Sequence, residues 1–205
     1  MRQDVTSITL IVDRSGSMSS VQQEAENGIN HFLDEQKKLP GECLLTLVQF
    51  DTDYEVIHAA ANIRDIPRFA LVPRGMTALL DAVGKAINTT GETLAAIDEA
   101  ARPGKVICVI VTDGHENSSH EFTKAQIREM IERQRRDYAW EFSFIGADAA
   151  AFDEAGAIGI AKQTTGQYNP AAPQQAYAAV SCSVARYRMG GTADFTEAER
   201  NQMIH

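Results

Sequence analysis

The sequence contains few cysteines and prolines, and it contains no long apolar run. Its 205 residues include 3 cysteines and 6 prolines, and no apolar segment reaches the roughly 18 residues that a membrane-spanning helix needs. Cys43, Cys108 and Cys182 are widely spaced and stand in or beside apolar or helical patterns. We therefore interpret them as small buried side chains rather than disulfide partners. The first residues also lack the basic and apolar stretches of a secretory signal, so a reducing, cytoplasmic location is expected.

Positive charge is also scarce. The chain has 19 Lys and Arg against 28 Asp and Glu, a formal net charge of −9. Nucleic acids and anionic membranes are bound through clustered basic side chains, so neither is an expected partner. With 44% hydrophobic residues, the chain is long enough to bury its own core. We predict one domain over residues 1–190 and a tail over residues 191–205 that is either a capped helical turn or disordered.

Short β-branched runs alternate with helical patterns along almost the whole chain. The first run, from Ile8 to Val12, is nearly continuous, as expected for a strand buried on both faces. A tight turn from Asp51 to Asp53 joins two later strands as a hairpin. The alternation predicts a doubly wound, Rossmann-like α/β fold with a mostly parallel sheet, one antiparallel edge strand and helices on both faces. Strands are predicted at 8–12, 44–50, 54–58, 106–111, 142–145 and near 160–163, and helices at 20–38, 79–97, 123–138, 149–155 and 172–188.

Three loops that follow strands or open helices carry carboxylates and hydroxyls. The first loop holds Asp13, Ser15 and Ser17, the second holds Thr77 and the third holds Asp113. If the first strand and the strand at 106–111 are neighbours, the two aspartates lie about 5 Å apart, in the crevice where doubly wound sheets bind ligands. Carboxylates this close repel each other, and the three loops contain no lysine to balance them. A hard divalent cation such as Mg²⁺, which prefers oxygen ligands and retains several waters, suits this set.

Each of these motifs alone is more often a turn or a helix cap than a metal site, and only the combination is specific. Together they resemble a von Willebrand factor type A domain and its metal-ion-dependent adhesion site. Asp13, Ser15 and Ser17 stand in DRSGSMS, Thr77 in RGMTALLDA and Asp113 in VIVTDGHEN. The resemblance covers roughly residues 6–188 and includes all five metal positions.

The resemblance implies a six-stranded sheet with the order 3-2-1-4-5-6 and the hairpin strand at one edge. It implies that Ser15, Ser17 and Thr77 contact the metal directly and that the aspartates often act through bound water. The open coordination position is then filled by a carboxylate from a partner protein. Mg²⁺ is the expected ion, with Mn²⁺ or Ca²⁺ as alternatives. Without a secretory signal or disulfide-ready cysteines, the chain is most similar to the compact intracellular bacterial and phage members.

Enzymatic functions fit the loops less well. Phosphatases of the haloacid dehalogenase type use Asp-x-Asp after the first strand, and the second position here is Ser15. A phosphate-binding loop would need a lysine, which Ser-Gly-Ser-Met lacks. Ser17 and His115 are paired only by loop proximity and form no evident catalytic set. We therefore predict a protein-binding module and no enzyme, with a metal-dependent phosphoryl-transfer enzyme and an accessory subunit of an AAA+ ATPase as alternatives.

Several charged side chains flank the predicted metal loops. Arg14 and Arg74 are interpreted either as solvated arginines or as a basic rim that attracts an acidic partner. His115 and His120 are interpreted as surface histidines, because no helix aligns them as a second metal site. Asp148 follows the strand at 142–145 and either borders the crevice or caps the next helix.

Overall fold

A six-stranded sheet forms the centre of the computed structural model, which describes residues 1–113, 115–147, 150–169 and 174–204. The strands are β1 (Arg2–Asp13), β2 (Glu42–Phe50), β3 (Tyr54–Asn62), β4 (Pro103–Thr112), β5 (Glu141–Gly146) and β6 (Thr165–Gln167). Their order is β3-β2-β1-β4-β5-β6. Only β3 runs antiparallel to its neighbour, whereas the other pairs are parallel. The predicted fold class, strand order and antiparallel edge strand are confirmed.

Helices cover both faces of the sheet. They are α1 (Gln22–Lys38), α2 (Leu79–Ala95), α3 (Lys124–Tyr138), α4 (Ala150–Ala157), α5 (Gln174–Arg188) and α6 (Glu197–Ile204). One face is covered by α1 and α5, and the other by α2, α3 and α4. The last helix, α6, packs against α5 and β6. None of the helices in the described ranges is long and apolar enough to cross a bilayer.

The two central strands supply apolar side chains to both faces, which explains their nearly continuous hydrophobic runs. Successive residues of a strand point to opposite faces. Leu10 of β1 and Val109 of β4 therefore pack into the core beneath α1 and α5. Ile11 and Ile110, the next residue in each strand, pack into the core beneath α2 and α3.

Truncating a buried side chain of β4 should destabilise the fold, whichever face of the sheet the side chain packs on. Val109 and Ile110 are both fully buried, so changing either to alanine should lower the free energy of unfolding by about 1–4 kcal/mol through lost burial and a cavity. Glu129 is exposed on α3, and Glu129→Ala should change it by less than about 0.5 kcal/mol. Urea denaturation measures all three. Equal losses at the buried and exposed positions would contradict the central place of β4.

Several strands extend beyond their predicted bounds, most of all β1, which begins at Arg2 rather than Ile8. Two further differences have local reasons. The predicted strand near 160–163 lies at Thr165–Gln167, because Ile160 packs into the core after α4 and a 3-10 turn follows it. The hairpin strand continues to Asn62 rather than ending near residue 58. It does so through a register irregularity, with Ala60 in the left-handed region at φ 44°. Such a bulge also makes an exposed edge strand a poorer template for another chain.

The C-terminal segment is folded against the domain. Ala193, Phe195 and Met203 are buried in the core beneath α5, so the helical alternative for this segment is the one the structure contains. Arg186 of α5 also pairs with Glu199 at 2.9 Å. The predicted first residues of the helices at 149–155 and 172–188, together with Asp148, lie outside the described residues.

The cysteines match their interpretation in part. All three are free thiols, and Cys43 and Cys108 are buried as predicted. Cys182 is exposed, so the prediction that it is buried was wrong. It stands on the outer side of α5, whose buried side chains include the neighbouring Ser181 and Ser183. Because small polar residues occupy the buried side of α5 there, the sequence pattern does not show which side of the helix faces the core.

Candidate metal centre

The three predicted loops meet at the carboxyl edge of the sheet. Asp13 is the last residue of β1, and Asp113 directly follows β4. These two strands are adjacent and parallel, with Val12 opposite Val111, as the prediction required. Thr77 lies just before α2 and is buried at 2% exposure. The fold therefore brings the five predicted residues to one edge.

Four of the five residues form a continuous hydrogen-bonded chain through their side chains and the N–H of Ser15. Asp13 Oδ1 accepts the backbone N–H of Ser15 at 2.6 Å. The hydroxyls of Ser15 and Ser17 lie 3.0 Å apart, and Ser17 Oγ donates to Asp113 Oδ1 at 2.8 Å. The other oxygen of Asp13 accepts from Thr112 Oγ1 at 2.6 Å. Thr112 was missed by sequence reasoning, although it directly precedes Asp113 in the motif.

Asp13 is buried and Asp113 is partly buried, and neither carboxylate has a basic partner among the described residues. Asp13 has 0% exposure, and burial raises its pKa to about 6 against the hydrogen bonds from Thr112 and Ser15, with the charge of Asp113 raising it further. Burial also raises the pKa of Asp113, opposed by the hydrogen bond from Ser17. Within the described ranges, no lysine or arginine donates to either group. The cluster therefore has a deficit of positive charge.

A buried tyrosine from α5 lies close enough to be affected by these charges. Burial raises the pKa of Tyr177, and the charges of Asp113 and Asp13 raise it further. Its ring occupies the space above Gly28 of α1, where any Cβ would overlap the ring atoms. Tyr177 is thus held between the two helices on one side of the cluster.

The donor chemistry fits a hard divalent cation. The available atoms are carboxylate and hydroxyl oxygens, which Mg²⁺, Mn²⁺ and Ca²⁺ prefer over the sulfur and nitrogen ligands of softer ions. The described part of the chain contains no cluster in which three or more His, Cys, Asp or Glu side chains could share a metal ion, so hydroxyl oxygens must complete the ligand set here. With two carboxylates only, the site suits an ion that keeps several waters, as Mg²⁺ does.

Asp51 ties the first loop to the second. It is 1% exposed, and its Oδ2 accepts from Arg14 Nε and from Arg74 Nε, each at 2.8 Å. Its carbonyl accepts the N–H of Ala78, next to Thr77, at 2.9 Å. The backbone of the two loops is joined as well, since Arg74 N–H donates to the carbonyl of Arg14 at 2.7 Å.

This network corrects the interpretation of Arg14. The side chain is neither solvated nor part of a rim, because it is 7% exposed and pairs with Asp51 at 2.8 Å and Glu55 at 2.5 Å. Arg74 is half exposed at 56% while paired with Asp51. Of the two arginines, therefore, Arg74 alone borders the site surface. Val72 and Met76, on the same loop, are 68% and 53% exposed, an apolar flank that sequence reasoning missed.

The third loop is fastened to the second around the start of α2. Asn117 Oδ1 accepts the N–H of Thr77 at 2.9 Å, and the carbonyl of Thr77 accepts the N–H of Asn117 at 3.0 Å. Glu116 Oε2 accepts the N–H of Leu80 at 2.9 Å. In return, Asp81 accepts three backbone N–H groups of the loop at 2.8–2.9 Å. The position of Thr77 is thus fixed through its main chain.

Within the part of the chain that the structure describes, His115 and His120 belong to no cluster of three or more potential metal ligands. His115 and His120 are both exposed, and His115 Nδ1 lies 3.3 Å from Glu154 Oε1. Asp148, the last of the predicted flanking residues, falls outside the described residues.

Removing the charge of Asp51 should weaken cation binding. Asp51→Asn removes the charge that balances the buried Arg14 while it leaves the backbone contacts in place, so the first two loops lose their shared ion pair. We expect an affinity for Mn²⁺ lower by about tenfold, measured by calorimetry. Asp53→Asn is the matched control, because Asp53 is 77% exposed and lies 3.5 Å from Arg74. If both variants bind Mn²⁺ as the unchanged protein does, Asp51 has no positioning role.

Comparison with known proteins identifies the fold. No family model and no curated protein matches the sequence. Among solved structures, a von Willebrand factor type A protein from Catenulispora acidiphila has a TM-score of 0.63 at 16% identity, over 88% of this chain and 42% of that one. Proximal thread matrix protein 1 from the mussel byssus, with a zinc-occupied adhesion motif, has a TM-score of 0.63 at 14% identity, over 88% and 46% of the two chains.

A third solved structure is covered over more of its length. The manganese-loaded TRAP protein of Plasmodium vivax has a TM-score of 0.59 at 13% identity, over 85% of this chain and 72% of that one. The chain spans less than half the length of the two structures above. These similarities show that the chain has the von Willebrand factor type A fold.

Proposed function

We propose that this chain, with its von Willebrand factor type A fold, is a protein-binding module that captures an acidic residue of a partner through a bound divalent cation. Asp13, Ser15, Ser17, Thr77 and Asp113 would hold the ion. The observation that carries the proposal is the hydrogen-bonded chain joining Asp13, Ser15, Ser17 and Asp113, in which a buried and a partly buried carboxylate have no basic partner within the described ranges. A bound cation supplies the missing positive charge and attracts a carboxylate.

Magnesium is the proposed ion, with Mn²⁺ or Ca²⁺ as alternatives. The oxygen-only donor set supports this choice. Two proteins with the same fold are described as carrying zinc and manganese, which supports a divalent cation without selecting one. A cytoplasmic location is part of the proposal and is supported by the three free thiols.

The surroundings of the site favour an acidic protein segment. Arg74 presents a half-exposed guanidinium, and Val72 and Met76 present exposed apolar side chains on the same loop. A peptide with a carboxylate beside apolar side chains would match both features. The net charge of −9 makes such local attraction necessary, because the rest of the surface repels acidic partners.

Phosphoryl transfer is a weaker alternative. Asp13 is fully buried, and both of its oxygens accept hydrogen bonds, so it is a poor nucleophile or base. An accessory role beside an AAA+ ATPase would use the same site and differs only in the partner. A phosphatase assay with Mg²⁺ separates the enzyme alternative, because phosphate release that disappears in Asp13→Ala would favour it over binding.

Selection from a random peptide library tests the binding function directly. Peptides enriched on the protein in Mg²⁺ should elute in chelator, and each should contain an Asp or Glu whose change to Ala abolishes binding. Enriched peptides without acidic residues, or with binding that persists in chelator, would contradict the proposal.

The exposed arginine should govern the rate of peptide association. Arg74→Gln removes a charge beside the site without adding a carboxylate next to Asp51. We expect slower association by about two- to fivefold at low salt, with little change in dissociation, and an effect that shrinks as salt rises. Arg135→Gln, an equal charge change at an exposed position on α3, is the control. Surface plasmon resonance over a salt series measures both, and equal effects would exclude a local role for Arg74.

A further inference from the structure

A second cavity lies at the opposite edge of the sheet from the metal loops. It has a volume of about 570 Å³ and lies between the ends of α2 and α3 and the start of β4. The length of β4 separates it from Asp113, roughly 30 Å at the rise of a parallel strand. Its volume falls within the range of pockets that hold small organic ligands. It is therefore independent of the proposed cation site.

The inner wall of this cavity is apolar. Ile87, Val106 and Trp140 line it, and each is nearly fully buried, with 1%, 6% and 4% exposure. Trp140 is the only tryptophan of the chain, and its ring stacks on Phe142 with centroids 6.4 Å apart. Such a wall favours an apolar ligand, and in particular the flat face of an aromatic ring.

A glycine keeps one side of the cavity open. Gly91 lies inside α2 and lines the cavity, and a Cβ built on it would meet nothing within 4 Å. Glycine is among the least favourable residues inside a helix, and no neighbouring atom requires it here. The absent side chain at Gly91 therefore leaves space in the cavity and makes room for no neighbouring residue.

The rim of the cavity carries more positive than negative charge. It includes Arg102, Arg133 and Arg136 against Glu92 and Asp137. Arg136 pairs with Asp137 and donates two hydrogen bonds to its carboxylate, at 2.7 and 3.0 Å. Arg102 donates instead to main-chain carbonyls at the end of α2.

Arg133 is left available for a ligand. It forms no hydrogen bond or close ion pair with any residue in the described ranges. The pKa of Asp137 is lowered by the hydrogen bond from Arg136 and, to a smaller extent, by the charge of Arg133, but that carboxylate is paired with Arg136. A local excess of guanidinium in a protein of net charge −9 selects an anion, since carboxylates and sulfonates match the guanidinium fork.

We propose that this cavity binds a small aromatic anion, with the ring against Trp140 and the carboxylate or sulfonate at Arg133. The aromatic body accounts for the apolar wall and the open face at Gly91. The single anionic group accounts for the excess of arginine at the rim. Binding at this site is independent of the divalent cation.

Fluorescence of Trp140 tests the proposal with 2-naphthoate as the probe. We expect saturable quenching by 2-naphthoate in chelator and in Mg²⁺ alike, with weaker binding of the neutral 2-naphthamide. Gly91→Leu fills the open face and should weaken 2-naphthoate binding by about tenfold. Gly156→Leu is the matched control, because Gly156 of α4 also has open surroundings and does not line the cavity.

The anionic contact has its own variant. Arg133→Gln should weaken 2-naphthoate about fivefold while leaving 2-naphthamide unchanged. Melting curves exclude misfolding, because a leucine in place of a helical glycine should not lower the melting temperature. The proposal is overturned if quenching does not saturate, if Gly91→Leu binds as Gly156→Leu does, or if Arg133→Gln affects both probes equally. Loss of quenching in chelator alone would place the probe at the metal loops and also overturn it.

Discussion

Millimolar Mg²⁺ or Mn²⁺ is expected to raise the melting temperature strongly at about pH 7.5 and only weakly near pH 5. The reason is that the metal-free fold carries a buried negative charge at Asp13, which has no basic partner among the described residues. A cation that binds the folded state and not the unfolded chain stabilises the fold by linkage. Differential scanning fluorimetry in cation and in chelator, at both pH values, measures the effect.

The direction of the pH dependence follows from the raised pKa of Asp13. Burial moves it from 3.8 to about 6, so the folded, metal-free protein binds this proton more tightly than the unfolded chain does. The corresponding stability is present below about pH 3.8 and is lost as the pH rises to about 6. It amounts to about 3 kcal/mol. For a chain of this length that corresponds to roughly 6–12 °C in melting temperature.

Asp13→Asn separates the charge from the size of the side chain. Without the buried charge, the variant should melt at or above the unchanged protein in chelator at about pH 7.5, and added cation should leave its curve unchanged. Asp4→Asn, at a 63% exposed carboxylate near the other end of β1, should respond to cation as the unchanged protein does. Identical curves in cation and chelator at about pH 7.5 for the unchanged protein would contradict the cation site.

The sheet could be predicted because its signals are local. The buried run around Ile11 and the later run around Ile110 are continuous and β-branched, which is typical of strands covered on both faces. β6 was misplaced because Thr165–Gln167 has only three residues and no large apolar side chain. The apolar Ile160 nearby belongs to the core after α4 and drew the prediction toward itself.

The meeting of the site residues was predictable, whereas the contacts that support them were not. Strand order places Asp13 and Asp113 on one edge, so their proximity follows from the topology. The burial of Arg14 depends on Asp51, 37 positions away in the sequence, which no local pattern reveals. The role of Asn117 likewise depends on a main-chain contact with Thr77 across 40 positions.

Acidic-peptide binding is expected to fall by at least about a hundredfold in Asp13→Ala. Asp13 combines a charge with two accepted hydrogen bonds that shape the first loop, one from the N–H of Ser15 and one from Thr112 Oγ1. The change to alanine removes a proposed cation ligand and also removes both hydrogen bonds that hold the first loop. The peptide should come from the library selection in Mg²⁺, with affinities measured by calorimetry in Mg²⁺ and in chelator.

Thr77→Ala should be milder, at about tenfold. The main chain of Thr77 is held by Asn117 in both directions, at 2.9 and 3.0 Å, so removing the hydroxyl leaves the loop in place. The change removes one neutral oxygen and no charge. The order of the two variants therefore tests whether charge or hydroxyl donation dominates at the site.

Stability in chelator separates loss of the cation from loss of the fold. Asp13→Ala removes a buried charge, so in chelator at about pH 7.5 it should melt close to the unchanged protein, although it loses two hydrogen bonds. Thr77→Ala should also remain folded. A peptide that binds equally well in chelator, or an Asp13→Ala variant that still requires Mg²⁺ and binds with unchanged affinity, would show that the carboxylate is captured elsewhere. A folded Asp13→Ala variant that neither responds to Mg²⁺ nor binds the peptide would show that the cation response and the peptide binding depend on the same ion.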